Sequence, residues 1–350
     1  MLREVEIAGR KVGEGHPVFI VAELSANHRQ KLEIALDSMK AAKEAGADAV
    51  KLQTYTPDTM TLKSEKEYFW IKHGTIWDGR TLYDLYEEAY TPWEWHRELF
   101  DHARKLGLIC FSTAYDKTAV DFLESLGTSA HKVASFEITD IPLIEYMAGK
   151  GKPVIISTGI ATQEDIREAI SACRRYGNDQ IVLLKCVSEY PTPPEDVNLR
   201  TIPDMRERFG VLVGLSDHTT GISVPVAAVA LGAVMIEKHF ILDRKLGGPD
   251  SAFSLEPEEF ARMVEAVREV ERALGRVSYE LTEKQKRSRR LARSLFVVRD
   301  VRKGEVFTEE NVRSIRPGYG LHPKHLKDII GRRARFDIGA GTPLTWEMIE

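Results

Sequence analysis

The amino-acid sequence predicts an α/β protein: a (β/α)8 TIM barrel followed by a small C-terminal domain. Three observations carry this expectation. Eight short β-branched runs recur through the first three quarters of the 350 residues: FIVAEL (19–24), AVKLQTY (49–55), ICFSTAY (109–115), AHKVASF (130–136), PVIISTG (153–159), IVLLKCVS (181–188), VLVGLSDH (211–218) and AVMIEKHF (233–240). Their hydrophobicity is nearly continuous, as parallel strands buried on both faces require. Amphipathic stretches lie between and after them (31–45, 92–105, 162–176, 257–274), and Gly46, Gly107, Gly127 and Gly177 stand where helix C-terminal caps belong. Eight β/α units in about 275 residues is the arithmetic of a TIM barrel. A doubly wound open sheet is disfavoured, because no glycine-rich phosphate fingerprint follows the first strand. After residue 274 the composition changes, which divides the chain into a barrel (1–276), a charged linker (277–293) and a compact module (294–350).

Bulk properties exclude several function classes. The formal net charge is −4 and 43% of residues are hydrophobic, so there is no basic footprint for nucleic acid. The basic cluster at 284–293 reads as a solvated linker face. Three cysteines, Cys110, Cys173 and Cys186, are too few and too scattered for a disulfide framework or a thiolate metal site. No apolar leader opens the sequence and no run reaches membrane-spanning length, so a cytoplasmic protein without a membrane partner is expected.

One insertion breaks the barrel rhythm. Residues 56–90 are too long for a plain barrel loop, and long loops at a barrel's catalytic face are usually lids or specificity elements. Their aromatics, Tyr68, Phe69, Trp70, Trp77, Tyr83 and Tyr86, are expected mainly to pack the loop down.

The chemistry concentrates at strand ends. The strand–helix–strand unit over 214–240, with its helix near 224–231, puts His218 and His239 side by side at the carboxyl ends of adjacent parallel strands. With Asp217 and Glu237 nearby, the pair suggests a divalent-metal site. The other runs end in Glu23, Lys51 and Gln53, Ser112 and Thr113, Lys132, Ser135 and Glu137, Ser157 and Thr158, Lys185, Ser188 and Tyr190, and Ser216. Alternation turns Lys51, Gln53 and Lys132 toward a shared centre. A buried lysine costs several kcal/mol unless it meets an anion, so two interior lysines call for an acidic ligand or carboxylate partners.

At these residues the chain resembles the sialic acid synthase family, the phosphoenolpyruvate-dependent nonulosonic acid synthases. The resemblance runs through AELSANH, AGADAVKLQTY, FSTAYD, HKVASFEITD, GKPVIISTGIAT, LLKCVSEYPTP, GLSDHT, EKHF and GGPDSAFS, in one order. The tail, including RPGYG, resembles the antifreeze-like (SAF, β-clip) domain of those enzymes. KLQTYTPDTMT, YDLYEEAYTPWEWH and HKVASFEITD look most like the pseudaminic acid branch. The resemblance implies that His218 and His239 hold a divalent ion, manganese or magnesium, with cobalt a further candidate. It implies that Lys51, Thr113, Lys132, Ser135, Ser157, Ser188 and Ser216 cradle phosphoenolpyruvate. Glu23, Gln53, Tyr190 and Asp250 then face an acetamido sugar, and Glu23 or Glu137 handles protons. Arg316 is implied to reach into the barrel of a second copy, in a domain-swapped homodimer. Ser188 and Ala114 stand where N-acetylneuraminate synthases commonly have Asn and Pro, which counts against that product.

Overall fold

The structure, a computed structural model, describes residues 4–350. Its contacts divide into two units, one running to Gly275 and one over Arg276–Glu350. The first opens with an antiparallel hairpin, β1 (Glu4–Ile7) and β2 (Arg10–Gly13). Eight parallel strands follow: β3 (Phe19–Glu23), β4 (Ala49–Thr54), β5 (Ile109–Ala114), β6 (His131–Val133), β7 (Val154–Ser157), β8 (Ile181–Lys185), β9 (Leu212–Asp217) and β10 (Met235–His239). They close into a barrel in which β10 pairs with β3. Each lies within one of the eight β-branched runs.

The helices explain themselves locally. Thr162 and Asp165 form a capping box that opens the helix Gln163–Arg175. Pro257 occupies the first turn of Pro257–Leu274, where its missing N–H costs nothing. Gly46, Gly107, Gly127 and Gly177 all have positive φ (92, 67, 75 and 70°), the left-handed exit that favours glycine.

Two apolar layers hold the unit together. Between strands and helices runs the main core, with Ile20, Met39, Leu99, Val120, Ile144, Ile170 and Phe260 fully or almost fully buried. Inside the barrel, the lower lumen positions are apolar: Phe19, Ala49, Phe111, Ile155, Val182, Leu212 and Met235. The hairpin adds Val5, Ile7 and Val12 to this inner cluster and so stoppers the barrel's amino-terminal end. Polar lumen residues are thereby confined to the carboxyl end.

The insertion is ordered by its own chemistry. Asp78 accepts backbone N–H bonds from His73, Gly74 and Thr75 at 2.9–3.2 Å, which pull its carboxyl down to about 2. Thr81 caps the helix Leu82–Ala89. The C-terminal unit pairs β11 (Ser294–Val297) antiparallel with β12 (Val312–Ile315) around Leu295, Val297, Phe307, Val312 and Leu344. Residues 277–293, expected to be a charged linker, include the short helix Glu283–Ser288, opened by a Thr282–Gln285 capping box. Among the described residues, no helix is long and apolar enough to cross a membrane.

Candidate active site

The lumen changes character along its axis. Strand pairing aligns Glu23 with Lys51, Gln53 with Thr113, Thr113 with Lys132, and Ser216 with Glu237, all above the apolar layers. The same alternation that buries Phe19 and Val21 inside puts Glu23 inside, two residues further on. All of these except Thr113 form the floor of a cavity of about 520 Å³ at the carboxyl end of the barrel.

Two lysines govern the floor's electrostatics. Lys51 Nζ lies 2.5 Å from Glu23 Oε2 and 3.7 Å from Glu237 Oε1, and donates to Thr113 Oγ1 at 3.1 Å. Burial pulls Lys51 down, but the two carboxylates outweigh it and leave its pKa raised. Burial pushes Glu23 up to about 7 against the pull of Lys51, while Glu237 ends lowered because Lys51 and Lys132 outweigh its burial. Lys132 is different. It is 1% exposed, donates to Val133 O and Ser157 Oγ at 2.7 Å each, and has no carboxylate within 4 Å among the described residues. Burial lowers its pKa. An almost fully buried ammonium held only by neutral groups is a receptor for an anion.

Near Lys132, the missing side chain of Gly159 leaves room for two hydroxyls. Gly159 N–H donates to Ser135 Oγ at 3.1 Å, and a Cβ on Gly159 would collide with the Ser188 hydroxyl and crowd that of Ser135. Ser188 Oγ is itself buried without a partner. Hydroxyls gathered near a buried lysine have the donor chemistry of a phosphate or carboxylate cradle.

At the rim stand the two imidazoles, ring centroids 5.3 Å apart. His218 Nδ1 lies 3.0 Å from the Val187 carbonyl; a proton shared there leaves Nε2 with its lone pair. His239 Nδ1 is buried without a hydrogen-bond partner, 4.0 Å from Asp250 Oδ2, and burial together with His218 holds this ring neutral. Two adjacent imidazoles, one of them with an orphaned nitrogen and a carboxylate beside it, have the donor chemistry of a divalent-cation site. Among the described residues no three His, Cys, Asp or Glu side chains converge into a full ligand set, so other coordination positions would fall to water or substrate. Asp217, expected beside the histidines as an acidic partner, is not there. It points to the helix side, where Lys238 Nζ meets its Oδ2 at 2.5 Å. Strand alternation separates the two faces: Ser216 and Glu237 inward, Asp217 and Lys238 outward.

The sequence-derived residues are largely brought together. Glu23, Lys51, Gln53, Lys132, Ser135, Glu137, Ser157, Tyr190, Ser216, His218, His239 and Asp250 all line the one cavity. Thr113 sits one layer behind, on Lys51, and Ser188 lies behind Gly159. Gln53 Nε2 donates to Glu23 Oε1 at 3.0 Å, and Tyr190 rests its ring 4.4 Å from that of His218. Asp250 Oδ2 accepts from the Ser25 hydroxyl. Burial pushes Glu137 up to about 7. Arg316 is exposed in the C-terminal unit, directly after β12.

The roof departs from expectation. Tyr68, Trp70, Trp77 and Tyr86 of the insertion line the cavity, whereas Phe69 and Tyr83 do not. Trp77 Nε1 donates to Pro249 O at 3.0 Å, and its ring meets Tyr190 at 5.4 Å. Sequence reading also passed over Tyr55, Tyr115 and Cys186, which line the same cavity. Their signal was position: Tyr55 and Tyr115 directly follow barrel strands, where side chains of the catalytic face originate.

Comparison with known proteins places this geometry. Residues 38–279 match the NeuB family and residues 292–350 match the SAF domain. The chain is 52% identical over 335 residues to a pseudaminic acid synthase of Helicobacter pylori, covering 95% of this chain and 98% of the other. It is 51% identical over 327 residues to a pseudaminic acid synthase of Campylobacter jejuni, covering 93% and 95%. The crystal structure of the spore coat polysaccharide biosynthesis protein SpsE of Bacillus subtilis shares 37% identity and a TM-score of 0.69, with 99% of both chains covered. With similarity of this extent through both units, the chain belongs to the NeuB family and ends in a SAF domain.

Proposed function

We propose that this enzyme is a pseudaminic acid synthase. It condenses phosphoenolpyruvate with 2,4-diacetamido-2,4,6-trideoxy-L-altrose and water, giving pseudaminic acid and phosphate. The kinship with pseudaminic acid synthases supports the choice of sugar, and one observation supports the chemistry: the buried ammonium of Lys132, held by neutral groups alone, in the same cavity as two adjacent imidazoles.

In the reaction, carbon three of phosphoenolpyruvate bonds to the sugar aldehyde carbon, and the electron deficiency passes to carbon two. Water adds there, and the bond from carbon two to the phosphate oxygen breaks. One water proton ends on the former aldehyde oxygen and the other on phosphate. Lys132, Ser135 and Ser157, with the Gly159 backbone and Ser188, hold the phosphate; Lys51 and Ser216 hold the carboxylate end. Fixing a trianion in this way supplies orientation and charge neutralisation together. Thr113 keeps Lys51 in place. His218 and His239 would hold a divalent cation, manganese or magnesium with cobalt as a further choice, which would supply Lewis-acid polarisation of the aldehyde. Gln53, Tyr190 and Asp250 face the sugar. Glu23 and Glu137, both near 7, sit where a proton can be taken and returned at neutral pH. Arg316 of a second copy is assigned to the mouth of this site, in a domain-swapped homodimer.

The test is phosphate release from phosphoenolpyruvate with manganese, against three sugars: N-acetylmannosamine, the diacetamido-L-altrose, and the diacetamido sugar that leads to legionaminic acid. Turnover with the altrose alone is expected. Turnover with one of the others instead keeps the chemistry and reassigns the product to N-acetylneuraminic or legionaminic acid.

A further inference from the structure

Three tyrosines at the roof carry an inference about how the sugar is recognised. Tyr55 follows β4, Tyr115 follows β5, and Tyr86 comes from the helix Leu82–Ala89 of the insertion. The Tyr55 ring meets Tyr86 edge-on at 5.7 Å and Tyr115 edge-on at 5.1 Å. All three line the cavity, and none of their hydroxyls has a hydrogen-bond partner among the described residues; the bond at Tyr55 from Trp93 uses the carbonyl. Two tyrosines outside this trio do find a partner within the chain. Tyr83, on the same helix, donates to Asp58 at 3.3 Å, and Tyr146 donates to Asp121 at 2.8 Å. Three phenol hydroxyls that open into one cavity with no partner from the chain are donors available to an acceptor that arrives with a ligand. Burial raises the pKa of all three, so they remain neutral donors.

What arrives must also be apolar on one side. Ile71 and Leu85, 7% and 8% exposed, line the same cavity, Leu85 directly preceding Tyr86 in its helix. An oxygen acceptor carrying a methyl group describes an N-acetyl group. Position says which one. Around the closed barrel, β5 stands four strands from β9, diametrically opposite it, and β4 is its neighbour. β4 stands only two strands from β10, so a sugar with its aldehyde at His218 and His239 can extend past Tyr55 toward Tyr115.

We propose that Tyr55, Tyr86 and Tyr115, together with Ile71 and Leu85, form the recess for the second N-acyl group of the sugar, the one remote from the reacting carbon. This rests on the diacetamido reading of the substrate. The phenols donate to the acyl oxygen, and the two aliphatic side chains receive the methyl. A hydroxyl in that place would fill neither requirement, so the recess is a device for choosing doubly acetamidated sugars.

The experiment compares kcat and KM for two sugars, the diacetamido-L-altrose and an analogue with a hydroxyl replacing its remote acetamido group. Tyr86→Phe and Tyr115→Phe keep the rings. Each is expected to lower kcat/KM for the diacetamido sugar by about tenfold, through the sugar KM, and by less than twofold for the analogue. The KM for phosphoenolpyruvate and the melting temperature should not move. Ile71→Thr, which tests the methyl side without touching a phenol, should show the same preference at a few-fold loss. Equal losses with both sugars, or none with either, would overturn the recess while leaving the synthase reading intact. A wild-type enzyme that turns over only singly acetamidated sugars would overturn both.

Discussion

Lys132 and Lys238 are both removed from solvent, yet they are held in opposite ways. Lys238 has Asp217 at 2.5 Å; Lys132 has a hydroxyl and a carbonyl. The first is a compensated charge and the second is a standing cost to the ligand-free protein. Lys132→Met should therefore raise resistance to urea by about 1–3 kcal/mol. The same change should cut kcat/KM for phosphoenolpyruvate by about a thousandfold. Opposite signs in the two measurements are the signature of a group kept for its ligand, and a loss of stability would assign Lys132 to the scaffold instead. Glu137 is the second residue with a legible cost. Burial raises its pKa to about 7, with Lys132 pulling the other way. The folded state thus binds a proton that the unfolded state, with an ordinary carboxyl, has already released. Its stabilising contribution is complete below the ordinary carboxylate range and is lost as pH rises through about 7. Glu137→Gln should remove about 2 kcal/mol of the wild-type decline in unfolding free energy between about pH 5 and 8. Urea titrations at the two pH values measure it, and an unchanged decline would place the titration elsewhere.

Among the elements, β9 and β10 show how one strand pair serves two faces. Ser216 opposite Glu237 points into the lumen, with Oγ to Oε1 at 3.0 Å. The next pair, Asp217 opposite Lys238, points to the helices, and there the ammonium also donates to the Thr219 carbonyl. Asp217 in turn accepts from the Thr219 N–H and hydroxyl at 3.1 Å each, which fixes the turn after His218. Removing only the cation leaves a carboxylate buried without its partner. Lys238→Met should destabilise the protein by about 3–5 kcal/mol, and adding Asp217→Leu should restore most of that loss. A double variant no more stable than the single one, in urea unfolding, would show that the pair does not act as a unit. The insertion offers a contrast. Its Asp78-centred turn and Thr81 cap are local devices, yet they deliver Trp77 to the Pro249 carbonyl across the cavity.

For the whole molecule, the barrel was legible because its strands are buried on both faces and so leave unbroken apolar runs. The hairpin β1–β2 was not, since Val5, Ile7 and Val12 are single apolar residues in a charged segment. The helix Leu82–Ala89 and the helix Glu283–Ser288 are too short for periodicity to announce them. At the site, Lys51, Lys132, His218 and His239 stood out because a polar residue in a buried strand is an anomaly. Asp217 was misplaced because proximity along the chain was allowed to outrank alternation. Tyr55, Tyr86 and Tyr115 gave no such anomaly; an aromatic residue after a strand or on a short helix is ordinary until its idle hydroxyl is seen. This division of labour has a consequence for descent. The floor is built from strand positions whose facing depends on register, so an insertion or deletion there would turn a lysine outward and a core residue inward. Much of the roof is built from a loop insertion that contributes no barrel strand. Lineages of this enzyme are therefore free to alter the choice of sugar by rewriting residues 56–90 together with strand-end positions such as Tyr55 and Tyr115, while the condensation itself is inherited unchanged.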